Sequence, residues 1–265
     1  MKNFWKSSIL NITLITSVML LGLLGQIRAE ELPKSINLDL TLSQQNESVA
    51  EVDVLEAKYR EILSEITISQ EAVEVVDRIK QQITGVQNIS LDFLVTQVKG
   101  KWTEEVAGKL AAGVEHKLAR AELFAPDAVR GLIIVVDQEK METKTFQPIT
   151  NQIMVRALED MSKEALSALS VADVTSYFDF TIYDVELLES VELDGVWEYL
   201  LQVEGWKDQD LVQVRVKSDT WIPHEVLLFE EQIFIGKVQF SNVVLNAELS
   251  AEQLKELPKV KEVKM

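Results

Sequence analysis

The chain contains 265 residues, of which 47% are hydrophobic, and it contains no cysteine. This length suits one large domain or two small ones, and the lack of cysteine excludes disulfide bonds, thiolate metal sites and a cysteine nucleophile. The formal net charge of −17 argues against nucleic acid as a partner and against electrostatic binding to anionic lipid head groups.

The N-terminal segment predicts export. Lys2 and Lys6 precede an uncharged, mostly apolar run over residues 9–24, and Ala29 offers a small residue for cleavage. This is the pattern of a secretory signal peptide, which we place at residues 1–29. The run is shorter than the roughly 20 residues that span a bilayer, so an uncleaved anchor is the less favoured alternative. Both interpretations place the rest of the chain in the periplasm or another extracytoplasmic compartment.

A polar tether and a short helix are predicted next. Residues 30–48 are polar and lack periodicity. From Val52 to Ile66, apolar residues are spaced three and four apart, which predicts an amphipathic helix that packs on its own domain or docks on a partner. We therefore group residues 30–68 as tether plus helix, and we assign residues 69–265 to one domain.

A second helix is predicted to begin near Ser69. Ser69 suits the N-cap, Glu71 lies in the first turn, and Gly85 is a natural end. The expected apolar face of this helix consists of Val73, Val76, Ile79 and Ile83.

Beyond Gly85 the hydrophobic period changes to two, which predicts strands. Asp194-Gly195 and Ser218-Asp219 supply hairpin turns. Because the connections are short, we expect an antiparallel sheet of about eleven strands, which must curl or be covered. Further helices are expected at 157–170 and directly after Ser250. The predicted strands are 89–95, 103–111, 115–123, 129–136, 141–146, 152–157, 182–191, 196–204, 211–217, 223–230 and 233–244.

Motifs for catalysis are scarce. His116 and His224 are far apart in sequence and lack ligand-like neighbours, so we interpret them as histidines of the sheet surface. The sequence has no Gly-x-Ser-x-Gly elbow and no glycine-rich phosphate loop. We therefore expect no enzymatic activity, no metal and no cofactor, and a hydrolase is the weakest alternative. Four tryptophans in or beside predicted strands fill the core or line a cavity: Trp102, Trp197, Trp206 and Trp221.

Three segments carry a resemblance to a known family. Residues 117–137 contain a basic strand, a proline turn and an Asp-containing turn; residues 220–230 contain a Thr-x-x-Pro strand; residues 236–246 end in an Asn-Val…Asn segment. In this order they resemble the outer-membrane lipoprotein carrier and lipoprotein-sorting family, the LolA-like proteins. The likeness runs roughly from residue 71 to 258. Two departures are the Asp137-Gln138 pair, where the family usually has Asp-Gly, and the N-terminal extension, which has no counterpart.

The resemblance implies a mainly β (α+β) fold. Its half-open, strongly curved antiparallel sheet forms an incomplete barrel, and helices cover the concave face. Acyl chains would lie between the sheet and the helices, with the helix at 71–84 as part of a lid. An arginine on an early strand closes this lid in the classical carriers, and Arg120 is the nearest match. The alternative for Arg120 is an exposed strand arginine in an ion pair.

The resulting hypothesis is a non-enzymatic carrier that binds lipid or lipoprotein acyl chains, with a membrane protein as possible donor or acceptor. The alternative is a sensor of the same fold that signals to a membrane partner, with residues 49–68 as its docking element. From strand alternation, the expected cavity-lining residues are Phe93, Leu118, Ile133, Val135, Met154, Trp197, Tyr199, Leu228 and Phe240.

Overall fold

The computed structural model describes residues 66–158, 178–205 and 211–264. The predicted signal peptide, the tether and almost all of the helix that follows the tether lie outside these residues. Trp206 and nearly all of the helix expected at 157–170 also lie outside them.

Two α-helices and twelve β-strands are defined in this part of the chain, together with 3₁₀ turns at Asp127–Val129 and Phe180–Ile182. The helices are α1 (Gln70–Ile83) and α2 (Ala251–Lys255). The strands are β1 (Asn88–Lys99), β2 (Trp102–Gly113), β3 (Leu118–Ala125), β4 (Ile133–Asp137), β5 (Glu142–Gln147), β6 (Gln152–Ala157), β7 (Asp184–Leu193), β8 (Val196–Glu204), β9 (Leu211–Lys217), β10 (Pro223–Glu230), β11 (Ile233–Leu245) and β12 (Lys261–Lys264).

All twelve strands belong to one curved sheet that does not close. Their order is β12-β6-β5-β4-β3-β2-β1-β11-β10-β9-β8-β7, so β12 and β7 form the two edges. Every neighbouring pair is antiparallel except β12 and β6, which are parallel. The predicted fold class, a mainly β, half-open antiparallel sheet, is confirmed.

Each of the eleven predicted strands has a counterpart, but three of them start two or more residues later than predicted, and a twelfth strand was not predicted. β7 begins at Asp184 rather than 182. β3 begins at Leu118 rather than near 115. β4 begins at Ile133 rather than 129, because a 3₁₀ turn and Gly131, at φ +78°, occupy the preceding residues. The omitted strand is β12, which has four residues, three of them charged, and shows no hydrophobic alternation beyond Val263.

The centre of the sheet follows the clearest alternation in the sequence. Ile89, Leu91, Phe93 and Val95 of β1 are all buried on one face. Gly108 of β2 lies directly opposite Phe93. A Cβ atom at residue 108 would lie 2.6 Å from Phe93 Cζ and 2.4 Å from the Glu122 carbonyl oxygen, so the close packing of the phenyl ring requires glycine here.

Helix α1 begins as predicted, because the Ser69 side chain accepts a hydrogen bond from the backbone N–H of Ala72. Three of the four predicted face residues are buried. Val73 is the exception, with 42% of its surface exposed. The apolar stripe is centred on Val76 and Ile79, so Ala72 and Val75 flank it and Val73 falls outside. The buried residues of α1 are Ala72, Val75, Val76, Ile79 and Ile83.

Helix α2 begins at the predicted Ser250 with a capping box, in which Ser250 and Gln253 each bond the other's backbone N–H. Its Leu254 packs with Ala111 and Leu118 in a small separate cluster. The residues of β2 and β3 next to this pair, Ala112 and Ala119, pack instead in the main cluster with α1. Successive strand residues face opposite sides, so α1 and α2 cover opposite faces of the sheet. We call these the α1 face and the α2 face.

Candidate binding face

The α1 face carries an unbroken apolar row across seven strands. Val95 of β1 pairs with Val106 of β2 on one side and Val238 of β11 on the other. The pairing continues through β10, β9, β8 and β7, one apolar residue from each strand. All but the last residue are buried. The members of this apolar row are Val106, Val95, Val238, Val226, Val214, Leu201 and Leu187.

Small residues line the same face toward β3. Ala112 of β2 pairs with Ala119 of β3, and Gly108 and Ala121 lie on the same side of their strands. These side chains are short, whereas those of Phe93 and Leu110 beside them are long. The surface of the α1 face is therefore lower over the small residues of β2 and β3, and larger apolar residues border it.

Helix α1 lies over the β7 side of this face, and three polar contacts flank it at its surface. The Ser69 backbone N–H donates to the Val185 carbonyl at 2.9 Å. Lys80 Nζ lies 3.0 Å from Thr181 Oγ1 and 3.8 Å from Asp179 Oδ2. The two lysine contacts are largely exposed, and exposed ion pairs contribute little to stability. Apolar packing therefore holds the helix in place.

Aromatic rings gather beside α1. Tyr199 stacks between Trp197 and Trp221, with ring centroids 6.5 Å and 5.6 Å away. The Arg78 guanidinium of α1 lies 6.0 Å from the Trp221 centroid, within the range of a cation–π contact. Burial, and to a lesser degree the Glu74 carboxylate, raises the pKa of Tyr199 above its ordinary value. The ring cluster thus links the helix to β8 and to the loop before β10.

The structure brings six of the nine expected cavity residues to the α1 face. Phe240 of β11 pairs with Phe93 of β1, and its ring also meets Phe178 edge-on at 6.1 Å. Trp197 lies at the rim, with 41% of its surface exposed. Met154 is half-buried on β6, on the side of the neighbouring Thr145 and Ile134. The six are Phe93, Met154, Trp197, Tyr199, Leu228 and Phe240.

Three expected cavity residues lie on the α2 face instead, so their predicted facing is wrong. Leu118 packs against Leu254 of α2. Ile133 and Val135 alternate with Ile134 and Val136, which belong to the α1 cluster. All five residues of β4 are buried. A strand buried on both faces has no alternation that could reveal which residues face which side.

Arg120 does not close α1. Its neighbours Ala119 and Ala121 lie on the α1 face, so its side chain lies on the α2 face. There its guanidinium donates to the backbone carbonyl of Glu256 and lies 3.4 Å from the Glu122 carboxylate. The expected lid-closing role is therefore wrong for this arginine, which instead fastens the segment after α2 to β3.

We expect Arg120→Met to lower the free energy of unfolding by about 1–3 kcal/mol, because the half-buried guanidinium no longer donates to the Glu256 carbonyl. Lys109→Met, an exposed change on neighbouring β2, is the control and should be neutral. Urea denaturation and limited proteolysis after residue 255 measure the effect. Unchanged stability together with faster cleavage within α1 would contradict the placement of this side chain.

A polar ladder crosses the α2 face at β8–β11. Arg215 lies 3.2 Å from Glu198 and 3.3 Å from Glu225, and Glu225 lies 3.4 Å from Lys237. His224 joins the ladder through Nε2, 3.5 Å from Glu198. Burial lowers the pKa of His224 below its ordinary value; Lys217 and Arg215 act in the same direction, and Glu198 and Glu225 oppose them. The folded protein thus favours the neutral imidazole.

The lowered pKa of His224 predicts how the stability of the protein depends on pH. Because the unfolded chain protonates His224 more readily than the folded protein does, the free energy of unfolding should fall as the pH drops below about 6.5. We expect His224→Gln to flatten this dependence and His116→Gln, the matched control, to retain it. Thermal denaturation between neutral and mildly acidic pH measures both. An equal slope in both variants would contradict the assignment.

Asp137, at the end of β4, fastens α2 to the sheet. Only 4% of its surface is exposed. Its carboxylate accepts from the Lys140 backbone N–H at 3.0 Å and lies 3.4 Å from Lys255 Nζ. Burial alone would raise the pKa of Asp137. The hydrogen bond from Lys140 and the charges of Lys255 and Lys140 outweigh burial and lower the pKa. This ion pair between a buried carboxylate and an exposed lysine was not predicted, because its partners are far apart in sequence.

Within the described ranges, no group of three or more His, Asp or Glu side chains is arranged to hold a metal ion. Nor is any helix there both long and apolar enough to cross a membrane. His116 lies in the turn after β2 with Nε2 3.0 Å from the Leu249 carbonyl oxygen, and it therefore contacts the segment that leads to α2.

Comparison with known proteins yields structural likenesses only. No family profile matches the sequence, and no curated protein matches it. An uncharacterized conserved protein from Thermus thermophilus matches 74% of this chain over its whole length, at 15% identity and a TM-score of 0.48. A LolA superfamily protein from Nitrosomonas europaea matches 70% of this chain over 97% of its own, at 10% identity and a TM-score of 0.36.

The lipoprotein LppX of Mycobacterium tuberculosis matches 69% of this chain over 98% of its own length, at 10% identity and a TM-score of 0.42. Identities this low concern the fold alone. The architecture of this chain is a curved and unclosed antiparallel sheet with a helix over one face.

Proposed function

We propose that this chain is a non-enzymatic carrier of the cell envelope that holds lipid, or the acyl chains of a lipoprotein, on its α1 face. The observation that carries the proposal is the apolar row across seven strands. An acyl chain gains roughly 0.8 kcal/mol for each methylene group removed from water. A continuous apolar face of an unclosed sheet offers such burial along the length of a chain.

Entry of a lipid requires α1 to move, because the helix and the strand residues beneath it are buried against each other. The polar contacts of α1 are compatible with such movement, since those of Lys80 are exposed and individually weak. An acyl chain that displaces α1 replaces one apolar surface with another. The free energy of helix removal is thereby partly offset, which makes exchange reversible.

The net charge of −17 opposes direct docking on an anionic membrane. The proposal therefore includes a membrane protein as donor or acceptor of the lipid, and a location in the periplasm or another extracytoplasmic compartment. The alternative of a sensor that signals to a membrane partner depends on residues 49–68, nearly all of which lie outside the described residues.

Two neighbouring alanines of β2 provide a matched test. Ala112 is buried on the α1 face and Ala111 on the α2 face. Each replacement by leucine adds the same volume, at a cost of about 1–3 kcal/mol if the site is already filled. We expect Ala112→Leu to reduce the lipid recovered per protein molecule, and Ala111→Leu to leave the lipid unchanged.

The measurement is organic extraction and lipid quantification from both variants, purified without detergent. Circular dichroism confirms that each variant is folded. Equal lipid contents in the two folded variants would contradict binding on the α1 face.

A further inference from the structure

Three properties of the free edge of β7 bear on what this strand can bind. It is one of the two edges of the sheet. Between residues 184 and 204 the chain has seven carboxylates and no lysine, arginine or histidine. Three apolar side chains of β7 are also exposed: Leu188, at 41%, Val191, at 39%, and Leu193, at 59%. An edge strand with exposed apolar residues can pair with a strand of another chain.

This edge already pairs with an extended segment at its beginning. The Val185 backbone N–H donates to the Thr67 carbonyl and the Val185 carbonyl accepts from the Ser69 N–H, both at 2.9 Å. Ile68 thereby forms a parallel bridge with Val185. The chain then turns away into α1, and no other described segment pairs with the edge beyond Leu187.

The hairpin that follows shows which backbone groups remain available. Asp194 and Gly195, at φ +53° and +81°, form a two-residue turn of the type that closes a hairpin with a hydrogen-bonded pair. That pair is Leu193 and Val196. Because hydrogen-bonded and open pairs alternate, Ser190 and Glu192 direct their N–H and C=O groups toward the free edge.

We propose that the β7 edge from Leu187 to Leu193 binds an extended, basic segment of a partner protein, which adds to the sheet as a further strand. Lysine or arginine side chains of the segment would meet Glu192, and its apolar side chains would pack beside Val191 and Leu193 on the opposite face of the strand. Backbone hydrogen bonds give such additions their affinity, and the side chains give specificity. The inference is independent of lipid carriage.

The charge of the edge selects this occupant over a second copy paired through its own β7, because two acidic strands side by side repel each other. The rival occupant is the β12 edge of a second copy, which carries Lys261 and Lys264. That arrangement would make the protein self-associate, which sedimentation of the full chain detects.

The test uses the full chain and a fluorescent, end-blocked heptapeptide of alternating valine and lysine. We expect saturable binding by fluorescence anisotropy that weakens as salt is added. The same peptide with glutamate in place of lysine should not bind. A lysine peptide N-methylated at every residue, which removes the donors from both of its edges, should bind at least about tenfold more weakly.

Ser190 provides the matched protein variants. Ser190→Pro removes an N–H that faces the free edge, a position at which edge strands tolerate proline, whereas Ser190→Ala keeps it. We expect the proline variant to bind the lysine peptide about tenfold more weakly, and the alanine variant to bind it as the unchanged protein does. Equal binding of the plain and N-methylated lysine peptides to the unchanged protein would overturn strand addition. If the peptide does not bind, and the protein instead self-associates in a way that Lys261→Glu abolishes, then the occupant of the edge is a second copy and the assignment to a basic partner is overturned.

Discussion

Ile79→Ala is expected to lower the free energy of unfolding by about 2–5 kcal/mol, because Ile79 is fully buried at the centre of the α1 stripe. The methyl and methylene groups removed there leave a cavity between helix and sheet. Urea denaturation followed by circular dichroism measures the loss.

Val73→Ala is the matched control on the same helix. Val73 is 42% exposed, so its truncation should change stability by no more than about 0.5 kcal/mol. Equal losses for the two variants would contradict the orientation of α1. If Ile79→Ala instead speeds amide hydrogen exchange in α1 alone and leaves the global free energy of unfolding unchanged, the helix detaches independently of the sheet.

Leu254→Ala is expected to have a similar effect on the other face, about 2–5 kcal/mol. Leu254 is almost fully buried and joins Leu118 and Ala111 in the small cluster. Without its side chain, α2 loses the apolar contact that supplements the Lys255–Asp137 ion pair. We expect the segment from α2 to β12 to become accessible to proteases, as observed by mass spectrometry of the fragments.

Glu256→Ala is the control for this change. Its side chain is exposed, and the backbone carbonyl to which Arg120 donates is kept. The control should therefore retain both stability and protease resistance. If Leu254→Ala were as stable as the control, α2 would not anchor the C-terminal segment.

The sequence predicts the strands with one polar and one apolar face most reliably. β1 alternates over Ile89, Leu91, Phe93 and Val95, and the structure buries these four residues together. The start of α1 was likewise predictable, because Ser69 makes a local capping hydrogen bond. In both cases the determining interactions lie within a few residues of each other in sequence.

The candidate face was less predictable, because its residues are defined by distant contacts. β4 is buried on both sides, so the facing of Ile133 and Val135 depended on α2, which lies far along the chain near the C-terminus. Arg120 was assigned to a helix it does not contact, since its partner is a backbone carbonyl that sequence does not mark. The small residues Ala112 and Ala119 carry no chemical signal by themselves.

The most direct test of the proposed function is native mass spectrometry of the protein, expressed from its full sequence and purified without detergent, followed by organic extraction. Carriage on the α1 face predicts a co-purifying lipid or acylated species in near-stoichiometric amount, which extraction removes and identifies. A clean protein mass, with no uptake of added phospholipid or acylated peptide, would contradict it. That result would mean that the protein's own side chains permanently fill the space between α1 and the apolar row.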